Sequence, residues 1–316
     1  MKRRDFLKYA ALVTAGTVFS KSLFAADSRP PNIILITVDD LGCTDVGCYG
    51  STYHQTPNID KLASQGMRFT DAYATCALCS PTRASIMTGR YPARIGITDW
   101  IRARYQGGDI PRDKVNPSGY EEHEGKPLMT PVNPLWMELS EITVAEVLKI
   151  GGYTNCHIGK WHLGATDWYP EKQGFDYNIG GCDMGEPPTF FDPWARAANE
   201  VWKSERAVYG IDTLRSRKKG EYLTDREADE AVNFIRKHKD GPFFLNLCHY
   251  AVHYPIQAKE DKIEKYENIE PTGPHKVAKY AAMVESVDDA VGRVLDTLDE
   301  LDLADNTVVV FYSDNG

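Results

Sequence analysis

Four short apolar runs recur along the chain, and polar residues follow each of them directly. Continuous apolar runs of this length are typical of strands buried on both faces of a parallel sheet. Helical patterns separate the runs, so the order of elements predicts an α/β fold, a mostly parallel sheet with helices on both faces. The runs are Asn32 to Val38, Tyr153 to Ile158, Pro242 to Leu247 and Thr307 to Tyr312.

The polar residues that follow the runs form a second pattern. In an open α/β sheet, ligands bind beyond the carboxyl ends of the strands, so these residues are predicted to meet at one rim. Taken singly, each has a structural explanation, because Asp caps helices and His packs in cores. The residues are Asp39 and Asp40, Lys160 and His162, His249 and His253, and Asp314 and Asn315.

A fifth polar feature is the string Cys79-Ser80-Pro81-Thr82-Arg83, which continues through an apolar pair to Thr88 and Gly89. Pro81 suits the first turn of a helix and Gly89 its far end, so Cys79 is predicted at or just before a helix N-terminus. Free N–H groups there favour anionic atoms. Arg83 lies one helical turn after Cys79 and can reach the same site.

Cys79 also has less specific interpretations. An isolated Cys is usually a buried core thiol. Cys76 and Cys79 have C-x-x-C spacing, and with Cys43 and Cys48 they would complete a redox or zinc site. The chain has seven Cys, an odd number, so at least one thiol is not in a disulfide.

Other signals place helices and loops. Thr56-Pro57 opens a helix that Gly66 ends, and residues Met67 to Tyr73 are interpreted as a short strand. Two capping boxes are predicted. Residues 101–137 and 165–222 lack periodicity and are interpreted as surface and substrate-side loops. The capping boxes pair Thr143 with Glu146 and Thr224 with Glu227, and a last long helix runs from Tyr280 to Leu301.

Residues 1–26 read as an export signal of the twin-arginine type. Arg3-Arg4 precedes a short, moderately apolar run and a small-residue end at Ala25-Ala26. The run is too short for a bilayer span, so no stable membrane anchor is expected, and the protein is predicted to be periplasmic or secreted. The segment carries five basic residues and one acid, so the remaining chain has a formal net charge of −13 instead of −9. That charge argues against nucleic acid or an anionic membrane as partner.

The Cys79 string resembles the signature of the type I sulfatases, members of the alkaline phosphatase-like superfamily. The resemblance extends from about residue 32 to the last residue. It includes Asp39-Asp40, the segment Gly152 to His162, the segment Ala251 to Pro255, and Asp314-Asn315. One departure is Asn155, where the family usually has Ser or Thr; the position looks structural.

The resemblance implies a chemistry. The family's Cys is oxidised to formylglycine by a formylglycine-generating enzyme, and the hydrated aldehyde attacks sulfur. Asp39, Asp40, Asp314, Asn315 and the modified Cys79 would hold one metal ion, and oxygen-only ligands in an irregular set favour Ca²⁺. The implied roles are Arg83 for holding the modified residue, Lys160 for sulfate, His162 for the diol and His253 as proton donor. His249 is left open, and His54, His123, His157, His238 and His275 are interpreted as ordinary surface or core residues.

The expected function is hydrolysis of a sulfated carbohydrate. Alternatives are a phosphodiester or phosphonate hydrolase of the same superfamily, and an inactive sulfatase-like carbohydrate binder. Family members continue beyond Asp-Asn-Gly to a second lysine and a C-terminal subdomain. Residues 27–316 are therefore expected to be an N-terminal catalytic domain, incomplete at its C-terminus, that would be less active and more aggregation-prone than an extended form.

Overall fold

A computed structural model describes residues 29–106, 108–196 and 209–315. The predicted export signal, residues 1–26, lies outside the described residues, and only 29–31 are described from the unit Met1–Pro31. Residues Asn32–Gly316 form a second compact unit. Within the described ranges, none of the helices is long and apolar enough to cross a membrane.

Strands and helices alternate along most of the chain. The strands are β1 (Asn32–Val38), β2 (Tyr120–Glu121), β3 (Thr130–Pro131), β4 (Thr154–Gly159), β5 (Tyr177–Ile179), β6 (Ala195–Arg196), β7 (Tyr209–Gly210), β8 (Phe243–His249) and β9 (Thr307–Ser313). The helices are α1 (Pro57–Gln65), α2 (Cys79–Thr88), α3 (Pro92–Ile95), α4 (Val144–Ile150), α5 (Leu223–His238), α6 (Glu260–Glu267) and α7 (Ala278–Glu300). Short 3₁₀ turns lie at Gly47–Tyr49, Arg104–Gln106, Thr166–Trp168, Pro170–Lys172 and Ala304–Asn306.

The main sheet has the strand order β5-β4-β8-β1-β9, and all of its neighbouring strands are parallel. The four apolar runs supply β1, β4, β8 and β9, as predicted. β9 lies at one edge, where Val308 and Val310 remain 50% and 43% exposed. The other strands form two small antiparallel pairs, β2 with β3 and β6 with β7.

Alternate residues of β1 point to different sides of the sheet, and each side has its own core. Ile34 and Ile36 are buried with residues of α5 and α7 such as Ile235 and Val287. Ile33 and Leu35 pack on the opposite side, in a cluster that contains Ala84 and Met87 of α2 and Ala145 of α4. Helices therefore cover both faces of the sheet, which confirms the predicted fold class.

Two local predictions are wrong. Residues Met67 to Tyr73 form no strand. Met67, Phe69 and Tyr73 are 79%, 62% and 82% exposed, so these apolar side chains are not packed in a core of the described chain. Thr224 and Glu227 form no capping box, because α5 already begins at Leu223 after Tyr222. The box of Thr143 and Glu146 at the start of α4 is present as predicted.

Helix α1 is held at its N-terminus by a side chain of α7. Thr56, the residue before α1, makes no side-chain cap. Instead, buried Asp288 accepts hydrogen bonds from the backbone N–H groups of Asn58 (3.0 Å) and Ile59 (2.8 Å) and from Asn58 Nδ2 (2.8 Å). Asp288 thus replaces the missing cap and fastens α1 to α7.

We expect Asp288→Ala to lower the free energy of unfolding by about 2 to 3 kcal/mol, because buried donors lose their acceptor. Urea unfolding followed by circular dichroism measures this change. The matched control is Asp296→Ala, an exposed position of the same helix, which should change stability by less than about 0.5 kcal/mol. Equal effects in the two variants would contradict the capping role.

Candidate active site

The register of the sheet brings the predicted polar residues to one rim. Val38 at the end of β1 lies opposite His249 of β8 and Ser313 of β9, and Gly159 of β4 lies opposite Cys248 of β8. Asp39, Asp314 and Lys160 each come one residue later, at the carboxyl ends of β1, β9 and β4. The predicted convergence of these groups is therefore present.

Gly159 allows β4 to end where it does. Its φ is +89°, and a Cβ at this position would lie 2.0 Å from the carbonyl oxygen of Cys248. A residue with a side chain would be strained and would push β4 away from β8. Glycine here lets the backbone turn so that the next residue, Lys160, enters the site.

Three carboxylates form the centre of the site. Oxygens of Asp39, Asp40 and Asp314 lie within 4.8 Å of one another, and Asp39 and Asp314 are completely buried. Asn315 donates its side-chain amide to Asp40, and Asn315 Oδ1 is buried without a hydrogen-bond partner. Asp39 Oδ1 also accepts no hydrogen bond, and its nearest described cation is Arg83 Nη2 at 3.4 Å. Buried carboxylate and amide oxygens of this kind are the ligands that a hard cation such as Ca²⁺ or Mg²⁺ requires.

Two buried cations offset this negative charge. Arg83 Nε lies 3.0 Å and Nη2 2.8 Å from Asp314 Oδ2, and Arg83 Nη1 donates to the carbonyl of Lys160 at 3.0 Å. Lys160 Nζ lies 2.5 Å from Asp39 Oδ2. Burial disfavours its charge, yet Asp39 raises the pKa of Lys160 above its ordinary value, so the ammonium persists.

The surroundings shift the pKa values of the two buried carboxyl groups, Asp39 and Asp314, in opposite directions. Burial and then the neighbouring Asp314 raise the pKa of Asp39 well above its ordinary value. Burial also acts on Asp314, but Arg83 and Lys160 hold the pKa of Asp314 below its ordinary value. A cation bound between them would favour the ionised form of both groups.

Cys79 is the first residue of α2, as predicted, and Gly89 ends this helix with φ +67°. The next residue, Ser80, fixes this end of the helix: its Oγ donates to the carbonyl of His162 at 2.9 Å and accepts from the amide of Ile101 at 2.9 Å. Burial raises the pKa of the Cys79 thiol, Lys160 lowers it, and Asp39 and Asp314 raise it. Cys79 therefore lies within electrostatic range of both the cations and the carboxylates.

His162 is buried in a defined tautomer. A carbonyl only accepts, so Nε2, 2.8 Å from the carbonyl of Ile101, carries the proton. Nδ1 is then an unprotonated acceptor, and it is buried without a partner. Burial, Lys160 and Arg83 lower the pKa of His162 well below its ordinary value, so the ring is neutral at pH 7.

His253 faces the site with its Nε2 atom, whereas the unpartnered nitrogen of His162 is Nδ1. Its Nδ1 donates to the carbonyl of Tyr254 at 2.9 Å, which leaves Nε2 to face Asp40 Oδ2 at 3.5 Å. Nε2 is therefore the atom that takes up or gives up a proton at the rim.

His249, left open from the sequence, is completely buried. Its Nδ1 lies 2.6 Å from Glu227 Oε2, while Nε2 has no partner. Burial raises the pKa of Glu227 above its ordinary value. Glu227 thus anchors the end of β8, a role hidden in the sequence because its spacing from Thr224 resembles a capping box.

An ion pair between Arg104 and Asp183, which the sequence does not indicate, lies near His162. Arg104 binds both oxygens of Asp183, with Nε–Oδ2 and Nη2–Oδ1 distances of 2.8 Å each. This pair joins the segment that carries Ile101 to the loop at 180–186, where a Cβ on Gly185 would lie 2.5 Å from the His162 ring. Arg104 and Asp183 are 79 residues apart, and no local pattern connects them.

The alternative four-cysteine site is not formed in the described ranges. Over residues 29–106, 108–196 and 209–315, two clusters of at least three potential metal ligands occur, and neither contains a cysteine. One is the carboxylate group of the site, and the other is Asp45, His54 and His275. The zinc or redox interpretation of Cys43, Cys48, Cys76 and Cys79 is therefore not supported.

Comparison with known proteins identifies relatives along nearly the whole described chain. The family model described as Sulfatase matches residues 31–316. Human N-acetylgalactosamine-6-sulfatase is 34% identical over 295 residues, which cover 91% of this chain and 50% of that protein. Human arylsulfatase A is 32% identical over 305 residues, which cover 92% of this chain and 53% of that protein. The chain spans about half the length of these curated relatives.

Solved structures agree with the sequence relatives. The structure titled "Crystal structure of Ps i-CgsB in complex with k-i-k-neocarrahexaose" is 32% identical, with a TM-score of 0.68 over 91% of this chain and 59% of that chain. The parallel sheet covered by helices on both faces is the alkaline phosphatase-like fold of such neighbours. Since the family model covers almost every described residue, this chain belongs to the sulfatase family.

Proposed function

We propose that this protein hydrolyses sulfate monoesters at the rim formed by the ends of β1, β4 and β9. The observation that carries the proposal is the position of Cys79. The family's nucleophile position starts α2, within electrostatic range of Lys160, Arg83 and the carboxylate cluster. Proximity of one nucleophile position to two buried cations suits the transfer of an anionic group.

Maturation would convert Cys79 to formylglycine through a formylglycine-generating enzyme. As a hydrate, this residue would supply one hydroxyl to attack sulfur and a second to expel sulfate afterwards as the aldehyde reforms. A serine in its place would end as a stable sulfate ester. The buried, neutral His162 would take the proton of the second hydroxyl as sulfate leaves, because its unpartnered Nδ1 can accept that proton.

The oxygens of Asp39, Asp40, Asp314 and Asn315 would hold the metal ion, and we propose Ca²⁺. Three carboxylates and an amide form an irregular oxygen set, which suits Ca²⁺ better than Mg²⁺ with its strict octahedron. The bound ion would offset negative charge on the nucleophile and on the transferring group. Arg83 contacts both Asp314 and Asp39 and would hold these two carboxylates in place.

Lys160 and His253 would act on the substrate directly. Lys160 Nζ has three N–H donors, of which Asp39 engages one, so the others are available for sulfate oxygens. His253 Nε2, which faces the cluster at Asp40, would give a proton to the ester oxygen as the alcohol leaves.

The proposed substrate is a sulfated carbohydrate. The names of two relatives point this way: N-acetylgalactosamine-6-sulfatase and the Ps i-CgsB complex with a neocarrahexaose. A twin-arginine signal in residues 1–26 would place the enzyme in the periplasm or outside the cell.

Release of inorganic sulfate tests the reaction class. The matured protein with Ca²⁺ should turn over an aryl sulfate faster than the matching aryl phosphate monoester, phosphodiester or phosphonate monoester. Preference for a phosphorus ester would assign the site to the alternative class, and saccharide binding without sulfate release would indicate an inactive binder.

The role of His253 predicts a dependence on the leaving group. His253→Gln should lower kcat/KM for an alkyl sulfate by about 10² to 10⁴-fold, because an alkoxide needs a proton to leave. For an aryl sulfate with an acidic phenol the loss should be much smaller. His123→Gln, at an exposed position outside the site, is the control and should leave both rates unchanged. An equal loss for both substrates would assign His253 to a structural role.

A further inference from the structure

A second cluster of potential metal ligands lies apart from the carboxylate centre. It consists of Asp45, His54 and His275, whose ligand atoms lie within 4.8 Å of one another. Asp45 and His54 belong to the segment between β1 and α1, and His275 lies just before α7. The proposed reaction uses none of these three side chains.

The distances within this cluster suit a small cation. Nε2 of His275 lies 3.3 Å and Nδ1 of His54 lies 4.0 Å from Oδ1 of Asp45. Two ligands bound tetrahedrally to Zn²⁺ at 2.0 to 2.1 Å are separated by about 3.3 Å. The His275 nitrogen is already at this separation, and the His54 nitrogen would need to approach by about 0.7 Å.

Neighbouring groups orient the carboxylate. The hydroxyl of Tyr280, in the first turn of α7, donates to Asp45 Oδ2 at 2.7 Å, so Oδ1 is the oxygen that faces the two imidazoles. The amide of Asp45 donates to the carbonyl of Gly42 at 3.0 Å, which closes a turn just after Asp40. Outer hydrogen bonds of this kind are what hold the carboxylate ligands of metal sites.

Ser51 contacts the His54 nitrogen that would bind the ion. Ser51 Oγ accepts the backbone N–H of His54 at 3.1 Å and lies 3.0 Å from His54 Nδ1. An imidazole nitrogen has one in-plane lone pair, so a bound ion would replace Ser51 as the partner of Nδ1. The ring centroids of His54 and His275 lie 4.8 Å apart, so both imidazoles are close enough to share one ion.

We propose that Asp45, His54 and His275 bind a divalent first-row transition ion, with Zn²⁺ as the best fit, and that this ion fastens the β1–α1 segment to the start of α7. Two imidazoles and one carboxylate are borderline ligands that suit zinc, in contrast to the oxygen-only cluster proposed for Ca²⁺. Three protein ligands leave a fourth position for water. The ion would hold the turn at Gly42, and with it the chain next to Asp39 and Asp40.

Zinc titration of the full chain tests the site. Protein freed of metal with a chelator and then supplied with Ca²⁺ should bind one equivalent of Zn²⁺ in calorimetry, with a rise in melting temperature. His275→Gln should weaken binding by about 10- to 100-fold or more, since even outer partners of ligands have effects of this size. His275 is partly exposed, so this variant should fold; Asp45→Asn should weaken binding similarly.

Two controls separate this site from others. His123→Gln removes an exposed imidazole elsewhere and should leave zinc affinity unchanged. Co²⁺ in place of Zn²⁺ should give visible bands of a nitrogen and oxygen site without the charge-transfer band of a thiolate, which excludes Cys43, Cys48 and Cys76. No zinc uptake, equal affinity in His275→Gln and His123→Gln, or a thiolate band would overturn the proposal.

Discussion

Cys79→Ala should abolish sulfate release, with a loss of about 10⁴-fold or more, because no other residue of the site can form the hydrate that attacks sulfur. The folded state should change little. Cys79 is only partly buried at the first position of α2, and Ser80 and Gly89, which fix the two ends of this helix, remain in place. Initial rates on an aryl sulfate and urea unfolding of the same preparation measure the two quantities.

Cys76→Ala is the matched control for this variant. Cys76 lies three residues earlier and is also partly buried, but the described contact of this residue is the one its carbonyl accepts from Thr82, which alanine preserves. Its activity should equal that of the parent protein. Comparable rates for Cys79→Ala and the parent would remove Cys79 from the reaction altogether.

Asp314→Ala should have the largest effect on stability and on metal binding together. Asp314 is completely buried and engages Arg83 through two nitrogens, at 3.0 and 2.8 Å. Removing it leaves a buried guanidinium short of its main partner, so the free energy of unfolding should fall by about 3 kcal/mol. The variant also loses one of three carboxylates, so the rise in melting temperature that Ca²⁺ gives the parent should disappear.

Thermal unfolding with Ca²⁺ and with a chelator distinguishes the two contributions. The loss seen with the chelator reports the pairing with Arg83, and the additional loss with Ca²⁺ reports the metal. The control is Asp305→Ala, an exposed carboxylate just before β9 that should change neither value. A normal calcium response in Asp314→Ala would disprove the assignment of Asp314 as a ligand.

The sequence was sufficient to predict the sheet and the convergence of its polar ends. Buried parallel strands leave a continuous apolar signal, and their register brings Asp39, Lys160 and Asp314 together without any knowledge of side-chain contacts. The helix start at Cys79 was equally readable, because Pro81 and Gly89 are strong local signals.

Features that depend on contacts between distant residues cannot be predicted from this sequence. Met67 and Tyr73 are apolar residues on the surface, so their pattern suggested a strand that does not form. Glu227 matched a capping pattern but instead binds His249, and nothing local favours one partner over the other.

His54 and His275 show the same limit. The sequence indicates ordinary histidines at both positions. A separation of 221 positions hides their proximity, and only the folded chain brings both to Asp45. The spacing alone resembles no metal motif, so this cluster was visible only in three dimensions.

The most direct test of the account is the chemical state of residue 79. Trypsin releases the peptide Phe69 to Arg83 from protein purified from the native host, and this peptide contains both Cys76 and Cys79. Mass spectrometry should find an aldehyde at position 79, reactive towards a hydrazide, and an unmodified thiol at Cys76. A thiol at both positions in protein that releases sulfate would contradict the formylglycine mechanism.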